Sequence, residues 1–313
     1  MAYGRVTIRG MVRSAAALAV LAAGCASQQI EPALRGMPTD DPRAALSAVW
    51  VGHATVLLRF GPHYVITDPN LGGSIGTQQR VTPASLRPGE LPPLEFAVIS
   101  HPHIDHFDAG TMRRLRHLRE VFHPKGAEPY MKGLRQATRG LAPWETVERG
   151  PFRITAVPVS HSGGRYLVDS LWNHAASGYV IEAYGRTVFF AGDTGYDAAR
   201  FKEIGRRYPH IDLALIPIAP ARGGNKSHAS PQEGVRIFED VGARYMIPIH
   251  FEAYRSLAVP LDEPRRLLAE EAERRGLSSR IFALRTGERW ALPDDPERAP
   301  WVLRDKAREL ARQ

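Results

Sequence analysis

Residues 100–108 read "SHPHIDHFD", three histidines and two aspartates in nine positions, directly behind the apolar run "FAVI" at 96–99. A short apolar run bounded in this way reads as a strand covered on both faces. His101 and His103, two apart in extended backbone, project to one side and can share a cation. A turn through Ile104 then swings Asp105 and His106 toward a second cation a few ångströms away. Imidazole and carboxylate suit zinc and tolerate iron or manganese. An isolated histidine is ordinarily a core or surface residue, but four such side chains within six positions behind a strand point to metal chemistry.

The same placement recurs along the chain. His161 follows "FRITAVPVS", Asp193 follows "TVFFAG", and His250 follows "YMIPI". Loops at the ends of strands converge into sites in open-sheet and barrel α/β folds, so these side chains are expected to meet. Further strand-like runs are "AVWVGHATVLLRF", "HYVITDP", "GYVIEAYGRTVFFAG" and "IDLALIPIAP". Helices are expected at 109–119 behind an Asp108 N-cap, at 231–241, and at 263–275, whose first turn carries Pro264. The chain has two halves of strands and helices, each starting with a hairpin-like pair, which favours two sheets packed between helices. The last segment, "WVLRDKARELARQ", makes 296–313 a tail with a surface helix.

With 313 residues, 43% of them hydrophobic, the chain can build a packed core. Its N-terminus is set apart: Arg5, Arg9 and Arg13 precede the apolar run "AAALAVLAAG", which stops at Cys25. The run is too short to span a bilayer and reads as a secretory signal. "LAAGC" resembles a bacterial lipoprotein cleavage box, with Ala22 standing where that box has leucine. That resemblance implies a signal peptide over 1–25, a lipid on Cys25 that ties the protein to a membrane, and a tether over 26–44. Ala26 after the cysteine favours the outer membrane, so the expected location is the cell envelope, facing the periplasm. Cys25 is the single cysteine, so a chain lipidated there has no thiol left for disulfides or thiolate ligands, and its metal site must use histidine and carboxylate. Losing the three leader arginines lowers the formal charge from +8 to +5. The remaining arginines are scattered among acids, as on a solvated surface, and no nucleic-acid partner is expected.

H-x-H-x-D-H together with "SH" at His161, "GDTG" at Asp193 and "IPIH" at His250 resembles the metallo-β-lactamase superfamily over about residues 45–295. The resemblance implies a four-layer αβ/βα sandwich with two metal ions, zinc in the first place and iron or manganese otherwise. It further implies His101, His103 and His161 on one ion, Asp105, His106 and His250 on the other, and Asp193 bridging them. Asp68 in "ITDP" matches an early aspartate that orients ligands, and such outer contacts fix tautomer and geometry. "WVGHATVLL", "GDTGY" and "HASPQEGVRIFEDVGA" are similar to the branch containing the N-acyl phosphatidylethanolamine-hydrolysing phospholipase D. By that likeness His228 lies near the substrate, binding phosphate or a leaving oxygen, or else caps the helix starting near Pro231. His53 in "GHAT" also matches the branch and is expected to hold a loop by hydrogen bonds rather than to bind metal. His63, His117, His123, His174 and His210 lack ligand-like spacing. Pro102 and Ile104 replace the branch's Asn and Tyr, no Trp follows His161, and "DSLWNHAASGYV" is longer than its counterpart. These differences line the loops that would meet substrate.

Two divalent ions sharing a water lower its pKa from 15.7 toward neutrality, so the expected nucleophile is a dimetal-bound hydroxide. Asp105, Asp193 and His228 are the catalytic candidates, Asp105 as the proton acceptor or relay. The Gly-rich stretches lack phosphate-loop spacing. They read as rim loops whose Arg165, Arg222 or Lys226 could meet an anionic headgroup. The leading expectation is a metal-dependent phosphodiesterase acting on a phospholipid. Lactone, ester or β-lactam cleavage is the alternative, and a non-catalytic metal-holding module is the alternative from another class. The oligomeric state is open at this stage.

Overall fold

The apolar runs fold as strands covered on both faces, and the alternation of their side chains sorts the chain into layers. The computed structural model describes residues 34–39, 44–166, 169, 172–255, 259–293 and 301–303. The stretch 1–25 expected to be a signal peptide, most of the expected tether including its start, and the chain beyond 303 lie outside the described residues. The first sheet contains β1 (Ala44–Gly52), β2 (Thr55–Phe60) and β3 (His63–Thr67). A small ribbon of β4 (Ser74–Ile75) and β5 (Gln78–Gln79) follows, before β6 (Leu94–Val98), β7 (Glu120–Pro124) and β8 (Ala137–Leu141) return to that sheet. The second sheet contains β9 (Thr146–Arg149), β10 (Phe152–Val157), β11 (Gly178–Ala183), β12 (Arg186–Phe190), β13 (Leu213–Pro217) and β14 (Tyr245–Ile249). Two late strands, β15 (Arg289–Pro293) and β16 (Trp301–Leu303), extend the first sheet, whose order is β16-β15-β1-β2-β3-β6-β7-β8. The second runs β14-β13-β12-β11-β10-β9.

Period-two alternation separates the cores. Ala48, Trp50, Leu58, Phe96 and Val98 face the second sheet in one buried cluster, whereas Val49, Val51, Leu57, Ala97 and Ile99 face outward in another. Between the sheets Phe152 meets Phe60 and Phe96 edge-on, with ring centroids 5.6 and 5.1 Å apart. Helices α1 (Ala109–Arg114) and α2 (Glu128–Met131) cover the outer face of the first sheet through Met112 and Met131. Helices α3 (Ala198–Arg207), α4 (Pro231–Val241) and α5 (Glu263–Arg274) bury Phe201, Val235 and Leu268 with the second sheet's cluster. The result is the αβ/βα sandwich the sequence led us to expect.

Three local expectations are corrected. The helix predicted over 109–119 stops at Arg114, because Gln136 Nε2 donates to the carbonyls of Met112 and Leu115 and takes over the acceptors the next turn would use. Residues 301–303, placed in a tail helix from sequence, form β16 antiparallel to β15. That pairing covers the exposed donors and acceptors of the β15 edge, which a helix would leave open. Residues 34–39 of the expected tether lie on the domain: Leu34 is buried, its N–H donates to the Thr286 carbonyl at 3.3 Å, and Met37 packs on the outer core.

Each sheet has a parallel portion, β3-β6-β7-β8 in the first and β12-β13-β14 in the second. The carboxyl ends of β3, β6, β12 and β14 carry Asp68, the 100–108 stretch, Asp193 and His250 respectively.

Candidate metal centre

The 100–108 loop leaves β6 and makes one helical turn, with the N–H groups of His106 and Phe107 donating to the His103 carbonyl at 3.1 and 2.9 Å. That turn brings His106 back beneath His101. Asp108 closes it as the N-cap of α1, accepting from Gly110 N and Thr111 N. Asn70 Nδ2 donates to the carbonyls of Ile104 and Asp105 at 3.0 and 2.9 Å, and Arg165 Nη1 to those of Pro102 and Phe107 at 2.8 and 2.9 Å. Arg165, expected on a mobile rim, is thus a brace for the loop, with its guanidinium over the Phe107 ring. Arg222 is likewise engaged, by the buried carboxylate of Glu263.

Two groups of side chains form. In the first, His103 Nδ1 lies 2.9 Å from His101 Nε2 and 3.2 Å from His161 Nε2. In the second, Asp105 Oδ2 lies 3.0 Å from His53 Nε2 and 3.5 Å from both His106 Nε2 and His250 Nε2. Asp193 stands between them: its Oδ2 is 3.0 Å from His250, 3.3 Å from His106 and 3.4 Å from His228, and it shares a further group with His161 and His228. All seven residues assigned as ligands from sequence are therefore brought together, and His53 sits closer to them than a purely loop-holding role requires.

The outward-facing nitrogens are fixed. His106 Nδ1 meets Asp68 Oδ2 at 2.6 Å, and Asp68 also accepts from Ser100 N and Oγ at 2.6 and 2.5 Å. Ser100 Oγ touches His101 Nδ1 at 2.9 Å, and His161 Nδ1 lies 2.8 Å from the Ser227 carbonyl. Each contact ties the proton to Nδ1 and turns a lone pair on Nε2 inward, the arrangement typical of metal-binding histidine. Ser100, Asn70 and Ser227 were not singled out from sequence; only Ser100, adjoining the motif, carried any signal. Positive φ at His53 (58°), Asp68 (35°) and His250 (64°) places three residues of the cluster in the left-handed region, a backbone cost borne where side chains must be aimed. The helix near His228 is capped by Ser230 with Glu233, so His228 does not cap it; an Asn225 turn aims its ring at Asp193 instead.

The donor set fits divalent cations. Lone pairs of His101, His103 and His161 converge at 2.9 and 3.2 Å, close to the ~3.3 Å separation that tetrahedral Zn–N bonds of about 2.0–2.1 Å require. Asp193 Oδ1, His106 Nε2 and His250 Nε2 are buried without a hydrogen-bond partner. Burial opposes ionisation of Asp105 and Asp193, but the surrounding histidines outweigh it and hold both carboxyls well below the usual range. Burial lowers His53 to about 3 and His161 to about 4, whereas His250, despite burial, is lifted by Asp193 and Asp105 to about 9. A buried cluster of carboxylates and imidazoles whose donor atoms converge in this way can hold cations.

A family model described as "Beta-lactamase superfamily domain" matches residues 63–251. The N-acyl-phosphatidylethanolamine-hydrolyzing phospholipase D 1 of Caenorhabditis elegans is 34% identical over 233 residues, 67% of this chain and 65% of its own. This chain thus spans less than two thirds of that relative. A metal-dependent hydrolase of Methanospirillum hungatei is 29% identical over 234 residues, 73% of this chain and 93% of its own. Among solved structures, the metallo hydrolase Igni18 of Ignicoccus hospitalis matches with a TM-score of 0.58 at 18% identity, covering 78% of this chain and 97% of that one, a likeness of fold.

Proposed function

Given that the chain belongs to the metallo-β-lactamase superfamily, we propose that it is a metal-dependent hydrolase of phosphodiesters, acting on a phospholipid in the manner of an N-acyl phosphatidylethanolamine phospholipase D. The observation that carries this reading is the junction of two ligand groups at Asp193, which stands within reach of His161 on one side and of His106 and His250 on the other. His101, His103 and His161 would hold one ion and Asp105, His106 and His250 the other, with Asp193 shared and zinc the best match to the donors. Such a pair acidifies a shared water and neutralises charge on a phosphoryl group.

This chain's own residues supply the rest. His53 holds Asp105 Oδ2 at 3.0 Å, so Asp105 is oriented to take a proton from the attacking water. His228, with 32% of its side chain exposed, faces the open side and can hand a proton from Nε2 to a leaving oxygen. The 34% identity to a phospholipase D supports the phosphodiester reading over lactone or β-lactam cleavage. The leader and Cys25 support a lipid-anchored protein of the cell envelope, on the outer membrane facing the periplasm, beside such a substrate. Among the described residues no helix is long and apolar enough to cross a membrane.

The test is a screen of metal-loaded protein against phosphodiesters, lactones and β-lactams, with Asp193→Asn as control. Phosphodiester turnover that falls ~100-fold or more in the control is expected, since loss of even an outer partner of a ligand costs about 10- to 100-fold. Turnover of lactone alone overturns the phosphodiester assignment. Incorporation of radiolabelled palmitate, lost in Cys25→Ser, tests the anchor.

A further inference from the structure

A cleft of about 240 Å³ adjoins the second ligand group, with His53, Asp105 and His250 among its lining residues. Its walls are apolar, formed by Ile75, Ala219, Phe251, Ala253, Val259 and Leu261. Two of its polar lining residues are already committed: Gln78 Nε2 donates to the Arg255 carbonyl at 2.8 Å, and Arg265 holds the Glu252 carboxylate at 2.6 and 2.8 Å, whereas the Tyr254 hydroxyl is buried without a hydrogen-bond partner. Tyr254 turns its ring edge-on to His53. The wall is also fixed in place. Val81 N donates to the Ala253 carbonyl, Thr82 Oγ1 to that of Glu252, and Phe251 stacks on Trp50 at 4.6 Å. A preformed apolar cleft takes an apolar group with little ordering cost.

We propose that this cleft binds a single unbranched alkyl or acyl chain of the substrate, of about eight carbons, while the polar end lies toward His228. The size follows from the volume: a methylene occupies roughly the ~30 Å³ of a water molecule, so 240 Å³ holds about eight. This orientation rests on the reading of the metal cluster as the reacting centre, and it narrows the substrate to one whose scissile bond lies at the mouth of a one-chain cleft.

Calorimetric titration of full-length, zinc-loaded protein with n-alkylphosphonates from butyl to dodecyl tests the cleft without requiring turnover. Affinity is expected to rise about fourfold per methylene to about eight carbons and then level off. Val259→Trp and Ala219→Leu, which narrow the cleft from two different segments, should move the break to shorter chains with zinc content unchanged. No dependence on chain length, a rise that continues unbroken to dodecyl, or a break that neither variant moves overturns the proposal. The two readings fail separately. A protein that cleaves only lactones would still show the break, and a phosphodiesterase lacking this pocket would turn over methyl and octyl diesters alike.

Discussion

The His106 ring and the Asp68 carboxylate meet at 2.6 Å with neither side chain exposed to solvent. Asp68 lies at the end of β3 and His106 in the loop after β6, so this contact fixes which nitrogen of His106 faces the cluster.

Asp68→Asn keeps the shape and removes the charge that holds the proton on Nδ1. Zinc affinity, read by competition with a chromophoric chelator, is expected to fall about 10- to 100-fold while the fold survives. An unchanged affinity would remove Asp68 from its orienting role.

Arg165→Met leaves the carbonyls of Pro102 and Phe107 without their donor. Hydrogen bonds to charged groups contribute about 1.5–3 kcal/mol, so a cost of roughly 2 kcal/mol in chemical denaturation is expected. A change in KM with no loss of stability would return Arg165 to the headgroup role read from sequence.

Gly195→Ala probes the loop that carries His228. A Cβ there would lie 2.3 Å from the Asn225 carbonyl oxygen and 2.4 Å from the Lys226 carbonyl carbon, so the backbone of that loop must shift. We expect kcat to drop on the order of tenfold and zinc affinity to weaken with it, because the Ser227 carbonyl that holds His161 Nδ1 rides on the moved segment. Wild-type kcat in this variant would argue against a role for His228.

Protein stripped of metal should differ from loaded protein in alkaline stability. Burial disfavours charge on His250, but Asp193 and Asp105 prevail and raise it to about 9. A group raised in this way stabilises the fold fully below its unfolded pKa near 6.5 and loses that contribution as pH climbs through the folded value. His53 and His161, lowered by burial to about 3 and 4, work in the opposite direction: their contribution is lost as pH falls from 6.5 toward those values. The stripped protein is therefore expected to melt highest near neutrality, with a decline toward pH 9 that the loaded form lacks because its imidazoles are already unprotonated. Matching alkaline profiles for the two forms would contradict the charge pattern described here.

The strands, and the placement of the seven candidate ligands at or just beyond strand ends, were legible because their signals are local. A run such as "FAVI" is apolar at every position and must be covered on both sides, and the polar residues after it cannot stay in the strand, so they collect at its carboxyl end. Helix 231–241 was legible for a similar reason, although its caps, Ser230 with Glu233 at the start and Gly242 at the end, came from the structure, where sequence had offered His228. What followed from contacts remote in sequence was not. The stop of α1 depends on Gln136, twenty-four residues on from Met112, and β16 exists because β15 offers it an edge. Arg165 was read as a rim cation because a side chain's type does not say which carbonyls it will meet.

By itself, then, the sequence determined the layers and the chemical identity of the cluster, since hydrophobic periodicity and donor type are properties of each short stretch. Only the tertiary structure decided that His53 reaches Asp105, that Ser100 and Ser227 turn the imidazoles, and that the 75, 219–221, 250–254 and 259–264 segments enclose one cleft. Apart from Ser100, which adjoins His101, those contacts join residues tens to nearly two hundred positions apart, and distances of that kind are set by how the two sheets stack.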